Sequence, residues 1–369
     1  MPDVKSKIKI AYILPAPAGG GAEKFTLDLL NNLDKEHFSP TVIFYKRSGF
    51  FYEDFKNSGA EIIMLPIRRR LSFLNFFNLV KTLKTIKPDI VHTQLGGDYY
   101  GFFTGRLAGV KYFVSTLQNV ETNQAFFRRW LVGFCLRRFN KIIAISRAVV
   151  ADAVKRYKLK TVPVIIYNGL EIDKFLNDSR LYQKPEIATI GSIGRLVPQK
   201  NFPVLISALQ KIKDRPFACL IAGDGSDHLK LQDLINKAGL EKKILLLGNQ
   251  KNIKAFLDSL DIFVLPSAWE GLGIAALEAG LNALPVIVSD VDGLKEVVTD
   301  GEDGWYFKSG DSSDLANKIT YLLDNLDNPT VAVVAQKLQA KIKTNFAIEK
   351  ITRDYEKLYL ALVYENPRS

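Results

Sequence analysis

The chain has 369 residues, 47% of them hydrophobic and 24% charged, the balance of a soluble globular protein with room for two domains of about 150–180 residues. Charge interrupts every long apolar run within about ten residues, which excludes a membrane span. The opening MPDVKSKIKIAYIL enters a strand without the cleavage site of a signal peptide. Cys135 and Cys219 lie far apart and suggest neither a disulfide framework nor a metal site, as expected of a cytoplasmic protein. The net charge of +11 is unevenly placed: residues 1–180 hold 28 Lys+Arg against 15 Asp+Glu, and residues 181–369 hold 22 against 24. The first half therefore calls for a polyanionic partner, with nucleic acid and an anionic membrane surface as the two classes.

Apolar strand-like runs alternate with helical patterns: KIAYIL, TVIFYK, EIIMLP, DIVHTQ, YFVSTL, KIIAIS and VPVIIYN, then IATIGSI, FACLIAG, KILLLG, IFVLP and PVIVSD, with GEDGWYF closing the second series. Strands apolar throughout imply parallel sheets covered on both faces, and two series imply two Rossmann-like α/β domains. The expected boundaries are 1–178 and 179–351, with the polar stretch Leu170 to Glu186 as linker.

After the first strand, Gly19, Gly20 and Gly21 form a turn into a helix, a place ready for an anion. Two basic, aromatic segments follow. Arg68, Arg69 and Arg70 precede Phe73, Phe76, Phe77 and Val80 at helical spacing, and FFRRWLVGFCLRRFNK spans Phe126 to Lys141. Such helices suit an anionic membrane surface. His92, near the end of a parallel strand, is a candidate for the cleft.

In IATIGSIGRLVPQKN, Arg195 and Lys200 stand on one loop and can neutralise a diphosphate, arginine as a fork and lysine as a point charge. The Gly-Asp-Gly after FACLIAG lacks the third glycine of a dinucleotide fingerprint, which argues against an oxidoreductase. In PSAWEGLGIAALEAG, Pro266 to Gly280, a strand turns into a helix through Glu270, Gly271 and Gly273. Helix N-terminal amides favour an anion there, and the glycines admit close approach of a ligand. Glu270 and Glu278 are spaced to address one elongated ligand, each able to accept two hydrogen bonds from a sugar diol.

This Glu-x7-Glu run, with G-R-L-x-x-x-K-N at Gly194 to Asn201, resembles the nucleotide-sugar site of the retaining glycosyltransferases of family 4, and the resemblance covers nearly the whole chain. It implies the GT-B architecture: two facing Rossmann-like domains, a deep interdomain cleft, and a last helix, about 352–369, crossing back to the N-terminal domain. The N-terminal domain would bind the acceptor and the C-terminal domain the nucleotide sugar. The resemblance gives a donor set of Gly20, Gly21, Arg195, Lys200, Asn249, Gln250, Glu270, Gly271, Leu272, Gly273, Ile274 and Glu278. Glu278 would hold the ribose diol and Glu270 the transferred sugar; Glu270, Arg195 and Lys200 would carry the catalysis. His92 and Gln118 are the acceptor-side candidates. Gln118 stands where the family commonly carries a histidine and can position groups without relaying a proton. Asp290-Val291-Asp292 spells a metal-binding signature of other glycosyltransferases, but it falls where family 4 usually has a glycine pair. It reads as a chance match, and neither a metal nor another cofactor is expected.

The resulting expectation is metal-independent transfer of a sugar, with retention, from a nucleoside-diphosphate sugar, UDP favoured, to a hydroxyl of a lipid-linked or lipid-anchored glycan in bacterial surface-polysaccharide assembly. The enzyme would sit peripherally on the inner face of the cytoplasmic membrane and bind no nucleic acid. The alternatives are a non-catalytic scaffold of the same fold and a nucleic-acid-binding protein.

Overall fold

The computed structural model describes residues 7–17, 20–45, 49–65, 73–120, 125–177, 180, 182 and 185–365. Gly19, Arg68, Arg69 and Arg70 lie outside them. The chain divides into two compact units, Met1–Gly169 with Ile348–Ser369, and Leu170–Ala347.

Each unit is built on one parallel sheet. In the first, β1 (Ile8–Leu14), β2 (Phe38–Phe44), β3 (Glu61–Met64), β4 (Ile90–Gln94), β5 (Tyr112–Leu117), β6 (Lys141–Ala144) and β7 (Val164–Ile165) lie in the order β3-β2-β1-β4-β5-β6-β7. In the second, β8 (Ala188–Ile193), β9 (Phe217–Ala222), β10 (Ile244–Leu246), β11 (Ile262–Leu265), β12 (Val286–Ser289) and β13 (Trp305–Phe307) lie in the order β10-β9-β8-β11-β12-β13. Strands β4, β11 and β12 are buried at every residue. That is why β11 and β12 read as apolar runs without alternation, while β4 buries the polar His92, Thr93 and Gln94 after its apolar start. Cys135 and Cys219 are buried, and burial pushes each thiol up to about 12, which leaves them inert.

Both sheets reverse their strand order beside their first strand: β1 lies between β2 and β4, and β8 between β9 and β11. Loops leaving the carboxyl ends of strands at such a reversal run to opposite faces and leave a crevice between them. In the second unit these loops are Gly194–Asn201 and Pro266–Gly273, the two stretches singled out by sequence. In the first, Gly20 at the start of the helix Gly21–Asn32 and the loop after β4 lie at this edge.

The two basic helices each bury one side and leave aromatics on the other. In the helix Phe73–Ile86, Leu79, Val80 and Leu83 face the core, while Leu74 and Phe77 are exposed. Of the set named by spacing, Val80 is buried and Phe77 exposed. In the helix Phe126–Leu136, Val132, Cys135 and Leu136 are buried and Phe126, Phe127 and Trp130 face outward.

The helix Ile348–Leu360 belongs to the first unit, where Ile348, Ile351, Tyr355 and Tyr359 join the core of β1, β2 and β4. A buried polar chain ties it down. The Tyr12 and Tyr359 hydroxyls are 3.0 Å apart, and His92 Nδ1 is 2.7 Å from the Tyr359 hydroxyl. His92 Nε2 is 2.8 Å from Thr116 Oγ1, which lies 3.2 Å from the Tyr355 hydroxyl. Each member of such a chain must be satisfied, because an unpaired polar group in the core costs about 1–3 kcal/mol.

Burial lowers the His92 pKa from 6.5 to about 3. Between those values the unfolded chain binds a proton that the folded chain excludes. Stability is therefore full above pH 6.5 and falls as pH drops toward 3, by up to about 1.4 kcal/mol per unit from this group. Urea unfolding between pH 7 and pH 4 should show His92→Gln less stable at pH 7 and its acid slope shallower by about one proton. An unchanged slope would show that His92 charges freely in the folded protein.

Candidate active site

The carboxyl edge of the second sheet gathers the strongest sequence features. Pro266 closes β11, the turn runs through Glu270, and the helix Ile274–Leu281 begins after Gly273. Gly273 adopts φ +83, and a Cβ there would fall 2.3 Å from Leu294, so the position takes neither a side chain nor an ordinary backbone. The N–H groups of Gly271, Leu272, Gly273, Ile274 and Ala275 donate to no partner among the described residues. Gly271, Leu272 and Gly273 are also buried. Buried amides without partners are rare, and a row of them at a helix N-terminus is an anion cradle.

Beside the cradle lies a buried ion pair. Glu270 is 7% exposed, and its Oε1 accepts from Lys200 Nζ at 2.5 Å and from Ser267 Oγ at 2.7 Å. Lys200 ends the short 3-10 turn Pro198–Lys200 on the loop after β8, so the ion pair joins the loops on either side of the strand reversal. Gln199 ties them again: its carbonyl accepts from the Ala268 N–H at 2.8 Å, and its Nε2 donates to the Trp269 carbonyl at 3.1 Å. Its Oε1 lies 3.5 Å from an Arg195 guanidinium nitrogen, with Arg195 itself exposed at the rim. Two cations and five amides thus share one edge with a single fixed carboxylate.

Three glycines hold this edge at close range. A Cβ on Gly223 would fall 2.0 Å from the Gly194 carbonyl oxygen, and one on Gly225 would fall 2.4 Å from that of Leu196. The Gly-Asp-Gly run is therefore a packing device for the Arg195 loop. A Cβ on Gly293 would fall 2.3 Å from the Glu270 carbonyl oxygen. Gly293 is the glycine that follows Asp290-Val291-Asp292, and it backs the turn carrying Glu270. Asp290 Oδ1 accepts from the Ser309 N–H at 2.8 Å, while Asp292 is exposed. Asp290 is thereby committed to the backbone. Among the described residues no group of three or more His, Cys, Asp or Glu is placed to hold a metal ion.

Of the other expected donor residues, Glu278 is half-buried in the helix after the cradle. Asn249 is exposed beyond β10, and Gln250 folds back so that its Nε2 donates to the Leu247 carbonyl at 2.8 Å. Sequence reading missed Ser267 and Gln199. Both are neutral polar residues next to flagged positions, and only the pairing of the loops after β8 and β11 reveals them.

On the first unit, Gly20 caps the helix Gly21–Asn32 in an extended conformation. His92 lies mid-strand, wholly buried with both ring nitrogens engaged, so no nitrogen is left for an acceptor. The strand-end position belongs to Gln94. Its Oε1 accepts from Thr26 Oγ1 at 3.0 Å and from Gln118 Nε2 at 3.1 Å, and Gln118 Oε1 accepts from Asn168 Nδ2 at 2.8 Å. Gln94 Nε2 and Asn168 Oδ1 are buried without partners. Gln118 is thus held from both ends and lines a cavity of about 50 Å³.

Gly293→Ala should destabilise the protein by about 1–3 kcal/mol, because the clash is with backbone, whereas Asp292→Ala at the exposed neighbour should stay within about 0.5 kcal/mol of wild type. Denaturant midpoints measure both. Equal effects would mean that the Glu270 turn yields to a methyl group.

Residues 19–174 match the family model described as Glycosyltransferase Family 4, and residues 172–341 the model described as Glycosyl transferases group 1. Over 392 aligned residues the chain is 28% identical to the Escherichia coli UDP-Gal:alpha-D-GlcNAc-diphosphoundecaprenol alpha-1,3-galactosyltransferase, covering 98% of this chain and 99% of that one. It is 29% identical over 246 residues to the lipopolysaccharide core biosynthesis mannosyltransferase LpsB of Rhizobium meliloti, covering 62% and 68%. Among solved structures, the glycosyltransferase from Rickettsia africae superposes with a TM-score of 0.84 at 20% identity, covering 98% and 100%. Anabaena HepE, solved in complex with UDP and glucose, superposes with a TM-score of 0.86 at 20% identity, covering 95% and 99%. The two parallel-sheet units are those of the GT-B fold, and with both halves of the chain matched in this way the protein belongs to the family 4 glycosyltransferases.

Proposed function

We propose that this glycosyltransferase moves a hexose, with retention, from a UDP-sugar to a hydroxyl of a lipid-linked glycan in the assembly of a bacterial surface polysaccharide. The row of unpaired amides from Gly271 to Ala275, flanked by Lys200 and Arg195, carries the reading. A departing diphosphate gains negative charge as the bond to the anomeric carbon lengthens. Amides and cations fixed in advance meet that charge without reorganising, and one aligned donor of this kind is typically worth roughly 3–4 kcal/mol.

Arg195, Lys200 and the amides take the leaving diphosphate, and Glu270 orients the transferred sugar. Glu278 holds the ribose diol of the nucleotide. In the front-face step the acceptor oxygen bonds the anomeric carbon, and the glycosidic electron pair leaves with the phosphate. The acceptor proton passes to that phosphate oxygen, so no separate base is required. Lys200 also fixes Glu270, which couples sugar orientation to the diphosphate contact. These protein charges stand where other glycosyltransferases use a metal ion. The commitment of Asp290 to the Ser309 N–H supports that reading.

The relatives favour the substrate classes: the Escherichia coli protein is named for a UDP-galactose donor and a lipid diphosphate acceptor. The positive balance of residues 1–180 suits peripheral contact with an anionic membrane on its cytoplasmic face. No helix among the described residues is long and apolar enough to cross a membrane.

Thermal melting and calorimetry with UDP, GDP, ADP and NAD in EDTA test the donor site. UDP should raise the melting temperature without metal, and less so in Glu278→Ala. Indifference of the wild-type protein to every nucleoside diphosphate would refute the assignment. Arg195→Ala should lower kcat about 100-fold or more, the loss expected of a transition-state contact. A rise in KM with kcat unchanged would make Arg195 a binding residue only.

A further inference from the structure

The helix Phe126–Leu136 carries two chemistries side by side. Phe126, Phe127 and Trp130 are 74%, 71% and 53% exposed. Large aromatics in so short a stretch are seldom left to water unless something covers them. They are ordered, not scattered. Phe127 stacks on Trp130 at 6.1 Å, Trp130 on Phe134 at 5.9 Å, and Phe134 on Phe103 at 6.4 Å, all within 27° of parallel. The result is a continuous aromatic ladder along the outer face of one unit. Cations border it: the Arg138 guanidinium lies 3.7 Å over the Phe134 ring, and that of Arg129 lies 5.5 Å over Phe126.

The other side of the same helix opens on the cavity of about 50 Å³ beneath Gln118, lined by Asp98, Thr116, Gln118, Asn119, Arg128 and Asp152 among others. Arg128 reaches it by lying over Gly96, where φ is +87 and a Cβ would fall 2.8 Å from a guanidinium nitrogen. The fully buried Asp98 is fixed by hydrogen bonds from Thr93 Oγ1 at 2.7 Å and Ser115 Oγ at 2.6 Å. Amides, a hydroxyl and carboxylates around a small space suit sugar hydroxyls, and guanidinium forks suit phosphate. Flat aromatic faces suit an unsaturated hydrocarbon chain.

We propose that the cavity, Arg128 with Arg129, and the aromatic ladder form one elongated site for a sugar carried on a polyprenyl diphosphate. The sugar sits over the mouth of the cavity beside Gln118 and turns hydroxyls into it, the diphosphate meets the arginines, and the hydrocarbon lies along Phe127, Trp130 and Phe134. This rests on the reading of the protein as a transferase to a lipid-linked acceptor and names where that acceptor sits. A bilayer surface would also meet aromatics and arginines, but it would not account for a cavity, part polar and part apolar, reached by the same helix.

The test separates the site from the reaction. Calorimetry with farnesyl diphosphate, inorganic diphosphate and anionic vesicles is run on wild type, Phe127→Ser/Trp130→Ser and Arg128→Gln, with the UDP melting shift as a control for folding and donor binding. Farnesyl diphosphate should bind at least tenfold more tightly than inorganic diphosphate. The aromatic double variant should erase that advantage, Arg128→Gln should weaken both ligands, and the UDP shift should stay unchanged in each. Equal binding of the two diphosphates by wild type would overturn the proposal. So would vesicle binding lost in the double variant while farnesyl diphosphate binding stays intact, which would make the ladder a bilayer contact. Farnesyl diphosphate binding in a protein that ignores UDP would keep the lipid site and sink the transferase reading instead.

Discussion

Glu270 is a carboxylate held almost out of water, and a buried charge persists only where it is paired and hydrogen-bonded. Its cation, Lys200, comes from the loop after a different strand. The two loops must therefore be fixed against each other, and much of this edge serves that need. Ser267 supplies the second hydrogen bond, Gln199 stitches the loops twice, and Gly223, Gly225 and Gly293 remove the side chains that would part them. Removing Lys200 would leave a buried carboxylate with a single neutral donor, a change of the kind that costs about 3–5 kcal/mol.

The two units meet the same topological circumstance with different chemistry. At its strand reversal the second unit presents cations and unpaired amides, an arrangement with positive potential. The first presents a neutral chain from Thr26 through Gln94 and Gln118 to Asn168. Neutral amides and hydroxyls discriminate by direction of hydrogen bonding rather than by charge. The strand order is nearly the same in the two sheets, while the side chains at the reversal differ: the Lys200–Glu270 ion pair in one and the Gln94, Gln118 and Asn168 amides in the other.

Much of this was legible in the sequence because parallel strands, buried on both faces, write themselves as unbroken apolar runs. The loops after β8 and β11 were legible because glycine, arginine and glutamate there have few structural uses. His92 was not: its partner Tyr359 lies 267 residues away, and no local pattern announces a bond across that distance. The burial of Val80 beside the exposed Phe77 was equally hidden, since helical spacing marks a set of positions but not which of them the sheet covers. Asp290 looked like half of a metal motif because its true partner, the Ser309 N–H, is a backbone atom that leaves no trace in residue identity.

The first unit is discontinuous in sequence, and its core includes Ile348, Ile351, Tyr355, Tyr359 and Leu362. During synthesis its N-terminal part emerges first, yet its hydrophobic interior stays open until residues 348–362 leave the ribosome. The second unit, continuous from Leu170 to Ala347, is complete before that point. The usual N-to-C order of domain folding is therefore inverted here, with the later-made unit able to close first. A nascent chain arrested or truncated before residue 348 would carry one finished unit and one with an apolar groove exposed along β1, a substrate for chaperones rather than a functional half-protein.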